Sequence, residues 1–393
     1  MLLRRLQSRS LVRPRLRYGR FLSTASAPHI EDEYKDNGDQ TVPVQLYQAT
    51  QPFHLGNGQH LEQPQVCYTT YGQLNAAGDN AIVLCHALTG HSLVHQWWDS
   101  MVTPEWTDRY LIVCANVLGS CYGSTGPTSI NPATQQQYGH TFPRVSVRDA
   151  VRLQKQLLQE ELGVKQVKAV IGGSMGGMQT LEWAFFGPEF VRSFIPIACG
   201  SHHSAWQIGI SELQRQAIAM DPLYKNGQYD PEAPPTQGMS LARQIAMVTY
   251  RTHAAYSQKY GRERMETDKA VAKNDDGKSP FLVQSYLEYQ GQKFLSRFDV
   301  NSYVALTHLM DTHDVGRDRG GIEHALSTLT QPSLVVGVDS DVLYPISEQE
   351  ELARQLPNSS FKVVSSPHGH DAFLLEQHAI SAMAKKFLDE RVN

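Results

Sequence analysis

The chain has no uninterrupted run of eighteen apolar residues, roughly the length a membrane-spanning helix needs, so no membrane span is expected. C-x-x-C spacing is missing as well. The five cysteines, Cys67, Cys85, Cys114, Cys121 and Cys199, are odd in number, and Cys85, Cys114 and Cys199 lie in or beside apolar runs. This excludes a disulfide framework and predicts buried, reduced thiols. Metal-ligand spacing is lacking too. His202 and His203 are adjacent, and His86, His91 and His95 share a loop without a cysteine or acidic partner at a useful distance, so no metal is expected. Excess positive charge is also absent: the formal net charge is −4 over 393 residues, which argues against a nucleic-acid partner.

Acidic residues are missing from one region only. The first is Glu31, whereas Arg4, Arg5, Arg9, Arg13, Arg15, Arg17 and Arg20 precede it, interleaved with leucines and followed by Ser23-Thr24-Ala25-Ser26-Ala27. An arginine-rich, acid-free, serine-containing leader able to form an amphipathic helix reads as a mitochondrial transit peptide over residues 1–28. Cleavage is expected near Leu22 to Ala27.

What is present is an ordinary globular composition, 41% hydrophobic and 19% charged, enough for one large domain or two modest ones. Short apolar runs at Ala81–Cys85, Tyr110–Ala115, Val167–Ile171, Ser193–Ala198 and Ser333–Gly337 fit strands buried on both faces of a parallel sheet. Val66–Tyr71 and Phe361–Val364 are further strand candidates. Helical patterns lie between them, one opened by Ser146 with Asp149 three residues later, a capping signature. From residue 201 to 328 only helical patterns occur. The expected architecture is α/β: a mostly parallel sheet with helices on both faces, built from residues 40–200 and 329–393, with 201–328 inserted as a helical lid. Ligands in such folds bind beyond the carboxyl ends of the strands.

Gly172-Gly173-Ser174-Met175-Gly176 supplies G-x-S-x-G between a strand and a helix-prone run. In that setting a sharp turn strains the backbone and exposes the serine hydroxyl. An alcohol is a poor nucleophile without a base, and the base needs an orienting group. Such elbows take them in the order serine, acid, histidine. Asp341 and His370 follow the last two strand candidates in that order, with Asp339 and His368 as competitors on spacing alone. Oxyanion donors are expected from the backbone N–H of Met175 and, in the loop after Ala81–Cys85, of Leu88.

His86-Ala87-Leu88-Thr89-Gly90, the segment from Asn116 to Pro127, Ser129-Ile130-Asn131-Pro132, Gly172 to Met178 with Leu181-Glu182-Trp183-Ala184, and Gly369-His370-Asp371-Ala372-Phe373-Leu374 together resemble the homoserine O-acyltransferase family. The resemblance spans roughly residues 45–390. It implies the α/β-hydrolase fold and acyl transfer from acyl-CoA to an amino-acid side-chain hydroxyl through an acyl-serine, with no cofactor beyond the acyl-CoA co-substrate. It implies Ser174 as nucleophile, Asp341 and His370 as its partners, and Arg243 and Asp371 as the amino-acid site. A guanidinium suits the substrate carboxylate and a carboxylate its ammonium. Family members use acetyl-CoA or succinyl-CoA and L-serine or L-homoserine. The leader and the lid segments Tyr250-Arg251-Thr252 and Asp311 to Gly316 look similar to mitochondrial members that acylate serine for cysteine synthesis, so serine is the expected acceptor. Homoserine, for methionine synthesis, is the alternative. Ser120-Cys121-Tyr122 is the expected place for tuning that choice, and a homodimer through the lid helices is implied.

Overall fold

The computed structural model describes residues 42–265 and 279–392; the arginine-rich leader lies outside the described residues. Eight strands form the main sheet: β1 (Gln45–Gln48), β2 (Gln65–Tyr71), β3 (Ala81–Cys85), β4 (Leu111–Ala115), β5 (Val167–Gly173), β6 (Phe194–Ile197), β7 (Ser333–Val338) and β8 (Ser359–Val364). Their order is β1-β2-β4-β3-β5-β6-β7-β8. The β1–β2 and β2–β4 pairs are antiparallel, and the pairs from β4 to β8 are parallel.

The apolar runs become the central strands because both their faces are covered. Every residue of β3, β4 and β7 is buried. Alternate side chains serve opposite cores. Val83, Val113 and Val170 join Val147, Ala150 and Val151 of α1 (Val147–Gln156) and Met178 of α2 (Met175–Ala184). Ile82, Ile112 and Ile171 join Ile380, Phe387 and Leu388 of the C-terminal helix on the other side. β8 is an edge strand and carries the exposed Lys362 and Val363, as edges tolerate. α1 starts where the sequence signals it: the Ser146 hydroxyl accepts from Asp149 N at 3.2 Å, and the Asp149 carboxylate accepts from Ser146 N at 3.0 Å.

Between β6 and β7 the chain forms α3 (Ala205–Ala219), α4 (Thr236–Tyr250), α5 (His253–Tyr260), α6 (Leu282–Leu295), α7 (Val300–Asp311) and α8 (Ile322–Ser327). α4 packs on both α3 and α6. α8 falls within the 201–328 insertion, yet Leu326 and the following Leu329 share a core with Val335 of β7 and Leu352 of the helix Ile346–Gln355. Helical periodicity marks a helix without saying which layer it joins.

One buried charge cluster ties these parts together. Glu182 of α2 is 3% exposed. Its carboxylate accepts from Arg319 at 2.7 and 3.1 Å and from Arg148 Nε at 3.1 Å, while Arg148 also donates to the Asp314 carbonyl at 2.9 Å. α2, α1 and the segment returning from α7 thus meet on a single carboxylate. Removing one member of such a pair strands the others' charge. Glu182→Ala is therefore expected to lower unfolding stability by about 3 kcal/mol, measured by urea denaturation; a loss within experimental error would show that the cluster is not coupled to folding.

Candidate active site

β5 ends at Gly173 and α2 begins at Met175, which leaves one residue for the turn. That residue, Ser174, has φ 59° and ψ −124°. A non-glycine residue there is strained by about 1–3 kcal/mol and persists only where the surroundings enforce it. They do so by close backbone approach. A Cβ on Gly176 would overlap the Cys85 carbonyl oxygen, and one on Gly177 would overlap the Cys199 sulfur. α2 starts at Met175, inside the glycine-rich turn, because Gly176 and Gly177, poor helix formers in isolation, are what let its first turn seat against β3 and the end of β6.

The carboxyl ends of β5, β7 and β8 bring Ser174, Asp341 and His370 into one hydrogen-bonded series. The Ser174 hydroxyl donates to His370 Nε2 at 2.8 Å, and His370 Nδ1–H donates to Asp341 Oδ2 at 2.6 Å. A carboxylate can only accept, so Nδ1 carries the proton and Nε2 is left free to accept. The other Asp341 oxygen accepts from Leu343 N and Tyr344 N, both at 2.9 Å, which fixes the carboxylate plane. The His370 ring lies 5.0 Å from the Tyr344 ring at 26°, and 5.4 Å from Phe373 at 60°. All three members of the series are buried. The competitors serve elsewhere: Asp339 accepts from the Ser365 hydroxyl at 2.6 Å and Ser366 N at 3.2 Å, and His368 precedes the turn that carries His370.

Among the described residues, the Leu88 and Met175 N–H groups donate to no protein acceptor. Their segments are adjacent, since Gly176 abuts the Cys85 and His86 carbonyls and Gln179 Nε2 donates to the His86 carbonyl at 3.1 Å. His86 pins this loop from inside. Its Nδ1–H donates to the Ala87 carbonyl at 2.8 Å, and its Nε2 accepts from Val117 N at 3.0 Å. Both ring nitrogens are occupied, and burial pushes its pKa down to about 4. It is a neutral structural residue rather than a base.

Arg243 and Asp371 lie near the same histidine. The Arg243 guanidinium sits 5.7 Å from the Tyr250 ring and 4.9 Å from the Phe294 ring, and the Tyr250 ring is 6.0 Å from that of His370. Among the described residues, the buried Arg243 Nη1 has no hydrogen-bond partner. Asp371 precedes the helical turn Ala372–Leu375, yet its side chain makes no capping bond. Its Oδ2 lies 2.6 Å from Arg251 Nε. Burial pushes the Asp371 carboxyl up, opposed by Arg251, His370 and Arg243. The sequence reading missed Arg251 and the ring shell of Tyr250 and Tyr344. The segment Tyr250-Arg251-Thr252 stood out only as a likeness, because no local pattern reveals an ion pair spanning 120 residues. In Ser120-Cys121-Tyr122, Ser120 and Cys121 are buried, and the Tyr122 ring packs 5.6 Å from Phe298 just beyond α6 and 5.3 Å from His91. These contacts join the core loop to the lid.

An activated serine, two unengaged N–H groups beside it, and a cation and an anion nearby are the parts of an acyl-transfer site. Residues 80–377 match the α/β hydrolase fold model. The homoserine O-acetyltransferase of Nostoc punctiforme is 47% identical over 351 residues, covering 87% of this chain and 95% of that protein. Among solved structures, the homoserine O-acetyltransferase of Bacillus anthracis superposes with a TM-score of 0.81 at 25% identity, over 90% of this chain and all of that one. Esterase E22 superposes with a TM-score of 0.79 at 24% identity, over 88% of this chain and all of that one, a likeness of fold. The chain belongs to the homoserine O-acyltransferase family of α/β-hydrolase-fold proteins and is an acyltransferase.

Burial that keeps histidines neutral has a pH signature. His86, His308 and His313 are all pushed down to about 4, chiefly by burial, against about 6.5 in an unfolded chain. Between those values the unfolded chain binds protons that the folded chain does not, so stability falls as pH falls from about 6.5 to about 4. Urea midpoints at pH 7.5 and pH 5 are expected to show the lower value at pH 5; equal midpoints would contradict it.

Proposed function

We propose that this protein transfers the acetyl group of acetyl-CoA to the side-chain hydroxyl of L-homoserine, a step of methionine synthesis. The observation that carries the reading is the half-buried Arg243 guanidinium, whose buried Nη1 has no hydrogen-bond partner among the described residues, close to a carboxylate, Asp371, that also neighbours the serine–histidine pair. A buried donor left unpaired is costly, and an amino-acid carboxylate would satisfy it, with the ammonium on Asp371. A hydrolase needs neither group. The homoserine names of the relatives favour this acceptor over serine, reversing the preference expected from the leader and lid segments, and favour acetyl over succinyl. The two acceptors differ by one methylene, a distinction worth only about 1–3 kcal/mol in a pocket.

In the proposed mechanism His370 takes the Ser174 proton as the hydroxyl attacks the thioester carbonyl. The Leu88 and Met175 N–H groups hold the oxyanion. The C–S bond breaks, and CoA leaves with the proton from His370. The homoserine hydroxyl then enters, gives its proton to His370 and attacks the acyl-serine, whose C–O bond breaks as His370 returns the proton to Ser174. Asp341 keeps the imidazole oriented and stabilises its cation. Acyl-CoA is a co-substrate, and no other cofactor enters the scheme.

Purified protein is expected to release CoA from acetyl-CoA in proportion to added homoserine, faster than with serine or with succinyl-CoA. Ser174→Ala should lower turnover by at least about 10³-fold and show no acyl-enzyme by mass spectrometry. CoA release independent of any acceptor would mean a hydrolase, and a preference for serine would restore the other acceptor.

The proposed location is mitochondrial, on the strength of the seven leader arginines. Isolated mitochondria are expected to import the full chain and trim it near Leu22 to Ala27; import without trimming, or none, would remove this reading.

A further inference from the structure

α4 ends at Tyr250, and Arg251 leaves it in an extended conformation, φ −121° and ψ 158°. Thr252 then caps α5, accepting from Ala255 N at 2.9 Å, while its own hydroxyl donates to the Pro367 carbonyl at 2.6 Å. Gly369, at φ +64°, presses on the same strap: a Cβ there would lie 3.2 to 3.3 Å from the Tyr250 carbonyl, the Thr252 methyl and the Arg251 carbonyl carbon. Three consecutive lid residues are thus fastened to the loop that carries His370 and Asp371. At the centre of this strap Arg251 Nε lies 2.6 Å from Asp371 Oδ2, with side-chain exposures of 26% and 16%.

We propose that Arg251 is a positioning residue for the acceptor, holding the Asp371 carboxylate oriented and ionised so that it can bind the ammonium of the incoming amino acid. This rests on the acyl-transfer reading above. With Arg251 on Oδ2, Oδ1 is left to the ammonium. A neutral carboxylic acid would put a proton in that place and lose the charge attraction. Burial drives Asp371 toward that neutral form, and Arg251, His370 and Arg243 oppose it; the Tyr250, Tyr256 and Tyr286 phenols nearby carry no charge near neutral pH. When the amino acid is bound, the Arg243 charge is matched by the substrate carboxylate. His370, as the base of the scheme, passes its proton on within each half-reaction. Arg251 is then the cation, among these groups, that keeps Asp371 ionised throughout acceptor binding.

The test compares full-length wild type, Arg251→Gln and Arg251→Lys in two reactions. One is the acetyl-CoA half-reaction, read as the pre-steady-state burst of CoA. The other is transfer to homoserine and to 4-hydroxybutyrate, which is homoserine without its ammonium. Arg251→Gln is expected to leave the burst rate within about twofold, to raise KM for homoserine about tenfold, and to lower the homoserine-to-4-hydroxybutyrate ratio of kcat/KM about tenfold. Losing the cation raises the Asp371 pKa further, so the acid limb of kcat/KM for homoserine should move to higher pH. Arg251→Lys should stay within about threefold of wild type in the acceptor ratio. Equal losses on both acceptors, a burst that falls in step with KM, or a wild type indifferent to the ammonium would overturn the proposal. If Arg251→Gln does not fold, the folded Arg251→Lys decides: a retained ammonium preference supports the proposal and a lost one overturns it. If wild type prefers serine, the homoserine assignment fails by itself. The pair then becomes serine and 3-hydroxypropionate, with the same expected ratios.

Discussion

The rest of the site depends on one strained residue. Ser174 holds a positive φ that a serine avoids when free, because the chain must pass from strand to helix in one step between two neighbouring strands. The glycines around it admit the carbonyl of Cys85 and the sulfur of Cys199 at distances that no side chain would permit. The same closeness brings the loop after β3 beside the start of α2, so the N–H groups of Leu88 and Met175 belong to one neighbourhood. His86, fastened at both ring nitrogens, keeps that loop from relaxing. Nucleophile and oxyanion donors are consequences of a single packing constraint.

The electrostatics follow from how dry that neighbourhood is. In a low-dielectric site a satisfied hydrogen bond is strengthened and an unsatisfied one is penalised. Asp341 illustrates the first case: its two oxygens take two backbone N–H groups and His370 Nδ1, so the histidine keeps one tautomer and one orientation between Tyr344 and Phe373. Arg243 illustrates the second, with a buried Nη1 that meets no acceptor among the described residues and that, on the proposed reading, the substrate carboxylate satisfies. Glu182 shows the same physics put to a structural end, since three elements converge on it to neutralise one carboxylate.

Much of the fold was legible because its signals are local. Apolar runs such as Ala81–Cys85 and the Ser146–Asp149 cap state their structure over a few residues, and the serine, acid, histidine order needs only strand ends to give it meaning. The residues that escaped notice depend on distant partners. β1 has four residues, two of them glutamine, and is a strand because β2 pairs with it. α5 has no buried residue, so no apolar stripe announces it. α8 reads like any lid helix until Leu326 is found against the sheet. Spacing could not separate Asp339 from Asp341, because what separates them is which backbone amides each carboxylate reaches. Arg251 escaped for the same reason: its partner comes from the far end of the chain.

An acyl-enzyme faces a competitor that needs no binding site, namely water. An acceptor wins only if it is held so well that its effective concentration exceeds that of the solvent, and oriented partners can reach effective molarities of about 10⁵ M or more. On the proposed reading the two ends of the amino acid are held by different parts of the molecule, the carboxylate by the lid helix α4 and the ammonium by the histidine loop. Two anchors define a position only if they keep a fixed distance from each other. The strap of Tyr250, Arg251 and Thr252 meets that condition, since it leaves α4 and is bonded to the loop within two residues. A lid that merely covered the site would slow water and amino acid alike. A lid fastened to the catalytic loop ties acceptor placement to the position of the base, so the hydroxyl that arrives is the one His370 is aligned to deprotonate.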